Sequence, residues 1–223
     1  MNRNKICVFD FETDGTNPQT LNPVQLAAVI VDPRKLEVIP NATFNSFIRP
    51  EDFDDPKYFE KHRNTIEWHA GIRNCSVDEV TNLWRNSPSQ KSVWNDFIEF
   101  LDKYHCHGKR KSKFSAPIAA GYNILNFDMP VIKRMAKAHS NSKEIFHPRD
   151  KIDLMHWMFQ WFENNEKVTS YSMDNMRDFF GMSKAGAHDA LQDVIDTANL
   201  MCRFMRLHRI TAKKVKFEGA FGV

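Results

Sequence analysis

Apolar residues fill both alternating sets of positions over residues 5–13 (KICVFDFET) until two acids interrupt them, a pattern of a central strand covered on both faces. The strand runs into Thr13-Asp14-Gly15, a turn signal. A second apolar run at 24–31 and a third extended stretch at 42–48 follow, separated by the turn-prone Asp32-Pro33-Arg34-Lys35. Three strands in such close succession predict an antiparallel meander. Between 50 and 115 the pattern turns helical: Ser76 stands three residues before Glu79 in capping-box spacing, and Trp94, Phe97, Ile98 and Leu101 recur on one helical face. A short apolar strand at 117–120, a helix at 129–139, a strand at 152–154 and a helix through Trp157 and Trp161 come next. A further helix at 173–180 is stopped by Gly181, and a long one over 189–208 carries Ala190, Val194, Ala198, Met201 and Met205 on one face.

Strands in sequence followed by helices alternating with two more strands predict an α/β fold, a mixed five-stranded sheet flanked by helices. Residues 1–208 read as one domain, with 50–115 as a helical elaboration within it. Residues 209–223 read as a C-terminal tail that changes to a short basic and apolar segment at Lys213-Lys214-Val215-Lys216-Phe217.

Composition adds limits. The chain has 223 residues, 42% of them hydrophobic and 26% charged, enough for one substantial core. Eighteen Phe and five Trp against eight Gly argue against long disordered segments. A formal charge of +3 does not by itself mark a polyanion-binding protein, so any nucleic-acid footprint must be local. The basic run 109–113 (KRKSK), with Arg149 and Lys151, reads first as a solvated loop, with a phosphate-guiding patch as the alternative. Cys7, Cys75, Cys106 and Cys202 are dispersed and form no CxxC pair, which suits reduced thiols. His105, Cys106 and His107 lie together but cannot complete a tetrahedral metal site without distant partners. No signal-type segment and no membrane-length apolar run stand out, so the expectation is a cytoplasmic protein without a membrane partner.

Three short constellations carry candidate chemistry. Asp10 and Glu12, two apart on a strand, leave the same face as Ile6 and Val8, so two carboxylates emerge at the end of a buried stripe. Neighbouring buried acids resist ionisation unless a positive charge sits between them, and hard oxygen ligands select Mg²⁺ or Mn²⁺. Alone, the pair also reads as a solvated acidic turn. The second constellation, residues 121–128 (GYNILNFD), follows a strand and opens a helix, so Asn126 or Asp128 could simply cap that helix. In the third, 188–193 (HDALQD), His188 belongs in the loop before the final helix and Asp193 projects from its second turn, since as helical residues they would point about 140° apart.

Together and in this order, the three constellations resemble the motifs of the DnaQ-like DEDDh exonucleases. Asp10, Glu12, Thr13 and Gly15 match the first motif, Asn123, Phe127 and Asp128 the second, and His188 with Asp193 the third. The resemblance runs over nearly the whole chain and implies a ribonuclease H-like fold. It implies Asp10, Glu12, Asp128 and Asp193 as ligands of two divalent cations, Mg²⁺ or Mn²⁺, and His188 as the general base that completes the catalytic set. The implied reaction is metal-dependent 3′-to-5′ exonucleolytic hydrolysis of single-stranded nucleic acid to nucleoside 5′-monophosphates, by a two-metal mechanism with cations about 4 Å apart. Phe11, Thr13, Thr16 and Asn123 are the implied substrate contacts. Where relatives often carry an apolar wedge after the motif glycine, this chain has Thr16. Trp68, Ile66 and Ile72 lie where relatives carry base-stacking residues, a role that competes with an ordinary place in the core.

The motif set looks closest to phage and proofreading-type members, which favours DNA. An exoribonuclease of the oligoribonuclease or RNase T type, or a non-catalytic nucleic-acid-binding module on the same fold, are the alternatives. A polymerase or other replication partner acting in trans, and a homodimer, are both compatible with a chain of this kind.

Overall fold

The sheet is organised around β1 (Ile6–Thr13), which pairs antiparallel with β2 (Pro23–Asp32) on one edge and parallel with β4 (Ile118–Gly121) on the other. The computed structural model describes residues 4–106, 112–139, 144–184 and 188–215. With β3 (Glu37–Phe47) antiparallel to β2, and β5 (Lys151–Asp153) parallel to β4, the five-stranded order is β3-β2-β1-β4-β5. The α/β architecture and the opening meander are those expected from the chain's patterning. β3 begins earlier than its apolar stretch suggests. Its pairing with β2 is irregular between Val29 and Val31, and Pro40, which has no N–H to give a ladder, falls inside that irregularity.

Alternation along β1 divides the core. Cys7, Phe9 and Phe11 pack on one face with α3 (Gln90–Asp102) and α4 (Asp128–His139). Ile6 and Val8 pack on the other with α5 (Leu154–Phe162), α6 (Met173–Phe180) and α7 (Ala190–Val215). A third cluster joins α1 (Tyr58–Arg73) and α2 (Val77–Asn86) to Val24 and Phe53. Ser76 and Glu79 form a reciprocal capping box at the start of α2, and Gly181 ends α6 in the left-handed conformation, φ 63°.

The expected break near residue 208 is absent, because α7 continues to Val215. Arg206 and Arg209 donate to the carbonyls of Leu36 and Pro33 in the β2–β3 turn, which anchors this last stretch to the sheet. The rest of the expected tail, 216–223, lies outside the described residues. Among those described, no helix is long and apolar enough to cross a membrane. The four cysteines are free thiols.

Candidate active site

On the α7 side of β1 the stripe Ile6–Val8 is buried, and Asp10 and Glu12 continue it to the C-terminal end of the strand, near the start of α7. Asp193, in the first turn of α7, meets them there: one oxygen from each of Asp10, Glu12 and Asp193 lies within 4.8 Å of the others. Asp128 reaches the same strand end from α4. β1 outruns β4, whose pairing with it extends only to Val8–Ala120, and the main-chain N–H of Phe11 instead donates to Asp128 Oδ1 at 3.1 Å. The chain turns from β4 to α4 within a tight space. A Cβ on Gly121 would lie 2.8 Å from the Phe9 carbonyl oxygen and 2.2 Å from Ile124 Cγ2, so only glycine fits that turn undisturbed.

Asn123 adopts a left-handed backbone, φ 59°, and its N–H donates to Asp153 Oδ1 at 2.9 Å, while the Leu125 N–H takes Asp153 Oδ2 at 3.1 Å. Asp153 therefore shapes the loop that delivers Asp128. His188 is also left-handed, φ 66°, and lies just before α7 as expected. Its N–H donates to Asp193 Oδ1 at 3.2 Å, its Nε2 is 3.3 Å from Asp174 Oδ2, and its ring centroid is 5.2 Å from that of Trp68. Residues 185–187, which lead into His188, lie outside the described residues.

Burial and mutual repulsion set the electrostatics. Asp10 is held well above the usual carboxylate range by burial first, then by the charges of Asp128, Glu12 and Asp193, with Arg177 opposing. Burial, then Asp193, pushes Glu12 up to about 8 against the pull of Arg73. Asp128 is likewise pushed up to about 8 by burial, against the hydrogen bond from Phe11. Burial raises Asp193 too, and the Arg177 guanidinium partly offsets it. Such a group of acids is a poor arrangement for a protein alone and a good one for a cation. Ligand oxygens around a Mg²⁺ ion lie roughly 3 to 4.2 Å apart, so the Asp10–Glu12–Asp193 spacing fits such an ion after small side-chain adjustments.

Helix α1 closes one side of the site by gripping the turn after β1. His69 Nε2 donates to the Thr13 carbonyl at 3.0 Å and His62 Nδ1 to that of Asp14 at 2.8 Å. The buried Asp14 carboxylate accepts from Tyr58 at 3.0 Å and from the Asn22 N–H at 2.7 Å. Burial keeps His69 below the ordinary histidine range, which agrees with a neutral ring donating through Nε2. The grip fixes Thr13, whose hydroxyl also donates to Gly15, while Thr16 stays exposed.

The structure narrows two of the candidate contacts. The Phe11 ring is buried on the opposite face of β1 and its N–H is committed to Asp128, so only its carbonyl side remains available to a substrate. Lys113 and Arg149 flank the ring of Phe114, which precedes β4 and whose carbonyl is bonded by Asn4, ahead of β1. They lie at the strand end opposite the acids, about 20 Å away at the usual rise per residue. Lys151, opposite Ala119 in the ladder, starts β5 towards that end, and 109–111 lie outside the described residues. Of the candidate stacking residues, Ile66 is core, whereas Trp68 is half-exposed beside His188. His105 bonds Ser115 and Asp102, as a structural histidine does; His107 lies outside the described residues.

The patterning missed Arg177, Arg73, His69 and Asp174. Arg177 sits on the apolar stripe of α6, between Met173 and Phe180, and a lone guanidinium at a core position was the available signal.

Residues 81–201 match the family model RNase_T, described as exonuclease. The match includes Asn123, Asp128, His188 and Asp193, and Asp10 and Glu12 precede it. No curated protein matches the chain. Among solved structures, that of E. coli exonuclease I with a dT13 oligonucleotide is similar, with a TM-score of 0.63 and 17% identity over 95% of this chain and 43% of that one. Exonuclease I from Methylocaldum szegediense gives 0.61 and 17%, over 90% of this chain and 40% of that one. Cell-death related nuclease 4 gives 0.65 and 14%, over 92% and 65%. The chain thus spans less than half the length of these exonuclease I chains, and at such identities the likeness is one of fold.

Proposed function

Since the chain belongs to the RNase_T exonuclease family, we propose that it is a metal-dependent 3′-to-5′ exonuclease acting on single-stranded DNA and releasing nucleoside 5′-monophosphates. The observation that carries this reading is the meeting of Asp10, Glu12 and Asp193, from β1 and α7, at a strand end to which Asp128 is also tied. Four acids, Glu12 and Asp128 buried and Asp10 and Asp193 partly so, all raised above their ordinary range, are best explained by divalent cations that the fold is built to hold.

In this reading Asp10, Glu12, Asp128 and Asp193 hold two ions, Mg²⁺ or Mn²⁺. When bound, the ions lower the pKa of the attacking water and offset charge on the phosphodiester and the departing 3′ oxygen. His188 accepts the proton of the water, and Asp174, 3.3 Å from Nε2, offsets the positive charge the imidazole then carries. The strand terminus lies against the turn after β1, where the backbone of Thr13, fixed by His69, meets the terminal sugar and Thr16 and Asn123 line the approach. Trp68, half-exposed and next to His188, offers a face on which a base stacks. The DNA preference draws support from the similar exonuclease I structures, which were solved with dT13 and dA16 oligonucleotides.

The test is incubation of the protein with 5′-labelled DNA and RNA strands of matched sequence, single and duplex, with Mg²⁺ or Mn²⁺. A ladder shortening from the 3′ end of single-stranded DNA is expected. Mononucleotide release from a 3′-labelled strand, with circular single strands left uncut, would separate end-directed from internal cleavage. An inert wild-type protein, or cleavage within circles, would overturn the reading.

A further inference from the structure

Arg177 is the one fully buried guanidinium among the described residues, with no exposed surface at all. Its position is odd for a core helix face, because a buried charge is costly unless it is paired and hydrogen-bonded. Three carboxylates supply the pairing. Nη2 donates to Asp193 Oδ1 at 2.6 Å and to Asp196 Oδ2 at 3.0 Å, Nε donates to the same Asp196 oxygen at 3.1 Å, and Nη1 donates to Asp174 Oδ1 at 3.2 Å. Two of these acids flank the site: Asp193 belongs to the acid cluster, and Asp174 holds the ring of His188. Asp196 lies one turn along α7 from Asp193 and takes no part in the cluster.

We infer that Arg177 is a positioning residue that fixes the Asp193 carboxylate for cation binding, while Asp196 serves as a second acid that balances the buried charge. The inference rests on the exonuclease reading above. Both hydrogen bonds to Asp193, from Arg177 and from the His188 main chain, fall on Oδ1. The oxygen left to a cation is Oδ2, and the planar fork of the guanidinium sets its direction. Asp193 stands on the first turn of α7, where a free carboxylate has several rotamers, and choosing one before the cation arrives lowers the cost of binding. Through Asp174 the same guanidinium ties the ring of His188 to the same frame, so ligand and base are held by one buried group on α6.

The test uses two variants and two readouts. Arg177→Met combined with Asp196→Ala replaces the buried pair by apolar groups, a change that proteins often tolerate, and leaves Asp193 without its clamp. Asp196→Asn keeps an oxygen that can accept from Arg177, leaves Arg177 in contact with Asp193 and removes only the charge of the second acid. Calorimetric titration with Mn²⁺ and thermal melting without metal are measured on both and on wild type. The double variant is expected to melt cooperatively and to bind Mn²⁺ about 10 to 100-fold more weakly, the range seen when an outer partner of a metal ligand is lost. Asp196→Asn is expected to bind Mn²⁺ much as wild type does, because the Arg177 contact to Asp193 remains. A folded double variant that binds Mn²⁺ as wild type does overturns the inference, as does an equal loss in both variants, which would mark a merely structural ion pair. If the double variant does not melt cooperatively, Arg177→Lys decides in its place. A lysine keeps the charge without the fork, so weakened Mn²⁺ binding at an unchanged melting temperature supports the inference and wild-type affinity overturns it. Wild-type protein that binds no Mn²⁺ overturns the exonuclease reading itself and the inference with it. Wild-type binding with an unaffected variant overturns only the role of Arg177.

Discussion

The Nε2 atom of His188 lies 3.3 Å from Asp174 Oδ2, so the imidazole is held from α6 while its main chain is held by Asp193 in α7. A histidine placed in this way makes its hydrogen bond to the acid cluster through its backbone, which, in the proposed mechanism, separates holding cations from moving a proton.

That separation predicts a split phenotype. His188→Ala should lose activity by about 100-fold or more, the usual contribution of a positioned base, while binding Mn²⁺ with little change. The left-handed backbone at φ 66° is retained more easily by His188→Asn, which serves as the second variant. A labelled-oligonucleotide assay paired with calorimetry reads both properties, and near-normal turnover in either variant would remove His188 from the mechanism.

Asp10→Asn should behave differently. Asp10 is the residue on which the charges of Glu12, Asp128 and Asp193 all act, so a neutral side chain there relieves repulsion while removing a central ligand. The expected result is a protein that is at least as stable as wild type without metal and has lost both Mn²⁺ binding and activity. Retained metal binding would move the cation site elsewhere.

Much of this site could be read from residue order alone, and the reasons are local. Asp10 and Glu12 share a face because strands alternate, and His188 had to precede a helix because Asp193 lies five residues on. Gly181 as a helix stop and Ser76 with Glu79 as a helix start follow from backbone chemistry within a few residues. What could not be read depends on contacts between distant segments. Arg177 meets Asp193 and Asp196 only because α6 and α7 pack together, and His69 finds the Thr13 carbonyl 56 positions away in the chain. For the basic run the sequence favours a solvated loop over a substrate path, and the parallel pairing of β1 with β4, which puts Lys113 and Arg149 at the other end of the sheet, agrees with that preference.

Cation binding should release protons. Glu12 and Asp128 are raised from ordinary values of 4.5 and 3.8 to about 8 in the metal-free protein, so at pH 7 both are largely protonated, and a cation must displace those protons. Between about pH 4 and 8 the folded metal-free protein holds more protons than the unfolded chain. Its stability from these groups is therefore fullest at the acid end and declines as pH rises. Affinity for Mn²⁺ should run the opposite way, rising from pH 6 towards pH 8 and then levelling. Calorimetry at pH 7 in buffers of different ionisation enthalpy reads the protons released, and a heat independent of buffer would contradict the raised values.

Trp68 should matter to substrate and little to metal. It is 45% exposed, sits beside His188, and belongs to the helix that holds Thr13 through His69. Stacking of one base on an aromatic ring contributes about 1–3 kcal/mol, so Trp68→Ala should raise KM about tenfold or more with Mn²⁺ affinity unchanged, and Trp68→Phe should recover most of the loss. Fluorescence of a strand with 2-aminopurine at its 3′ end, quenched on binding to wild type and less so to Trp68→Ala, reports the contact directly.

Gly121→Ala tests whether the link between β4 and the loop carrying Asp128 is as tight as it looks. An added methyl would meet the Phe9 carbonyl oxygen at 2.8 Å, a backbone atom in the middle of β1 that cannot swing aside, and Ile124 at 2.2 Å, a side chain that can. Relief therefore requires β4 to move away from β1 or the loop to shift, at a cost of about 1–3 kcal/mol. Either movement displaces Asp128, whose hydrogen bond to the Phe11 N–H depends on that spacing. The variant should thus melt at a lower temperature and also bind Mn²⁺ more weakly, although residue 121 is not itself a ligand. A lowered melting temperature with wild-type Mn²⁺ affinity would mean that Asp128 is positioned independently of the turn.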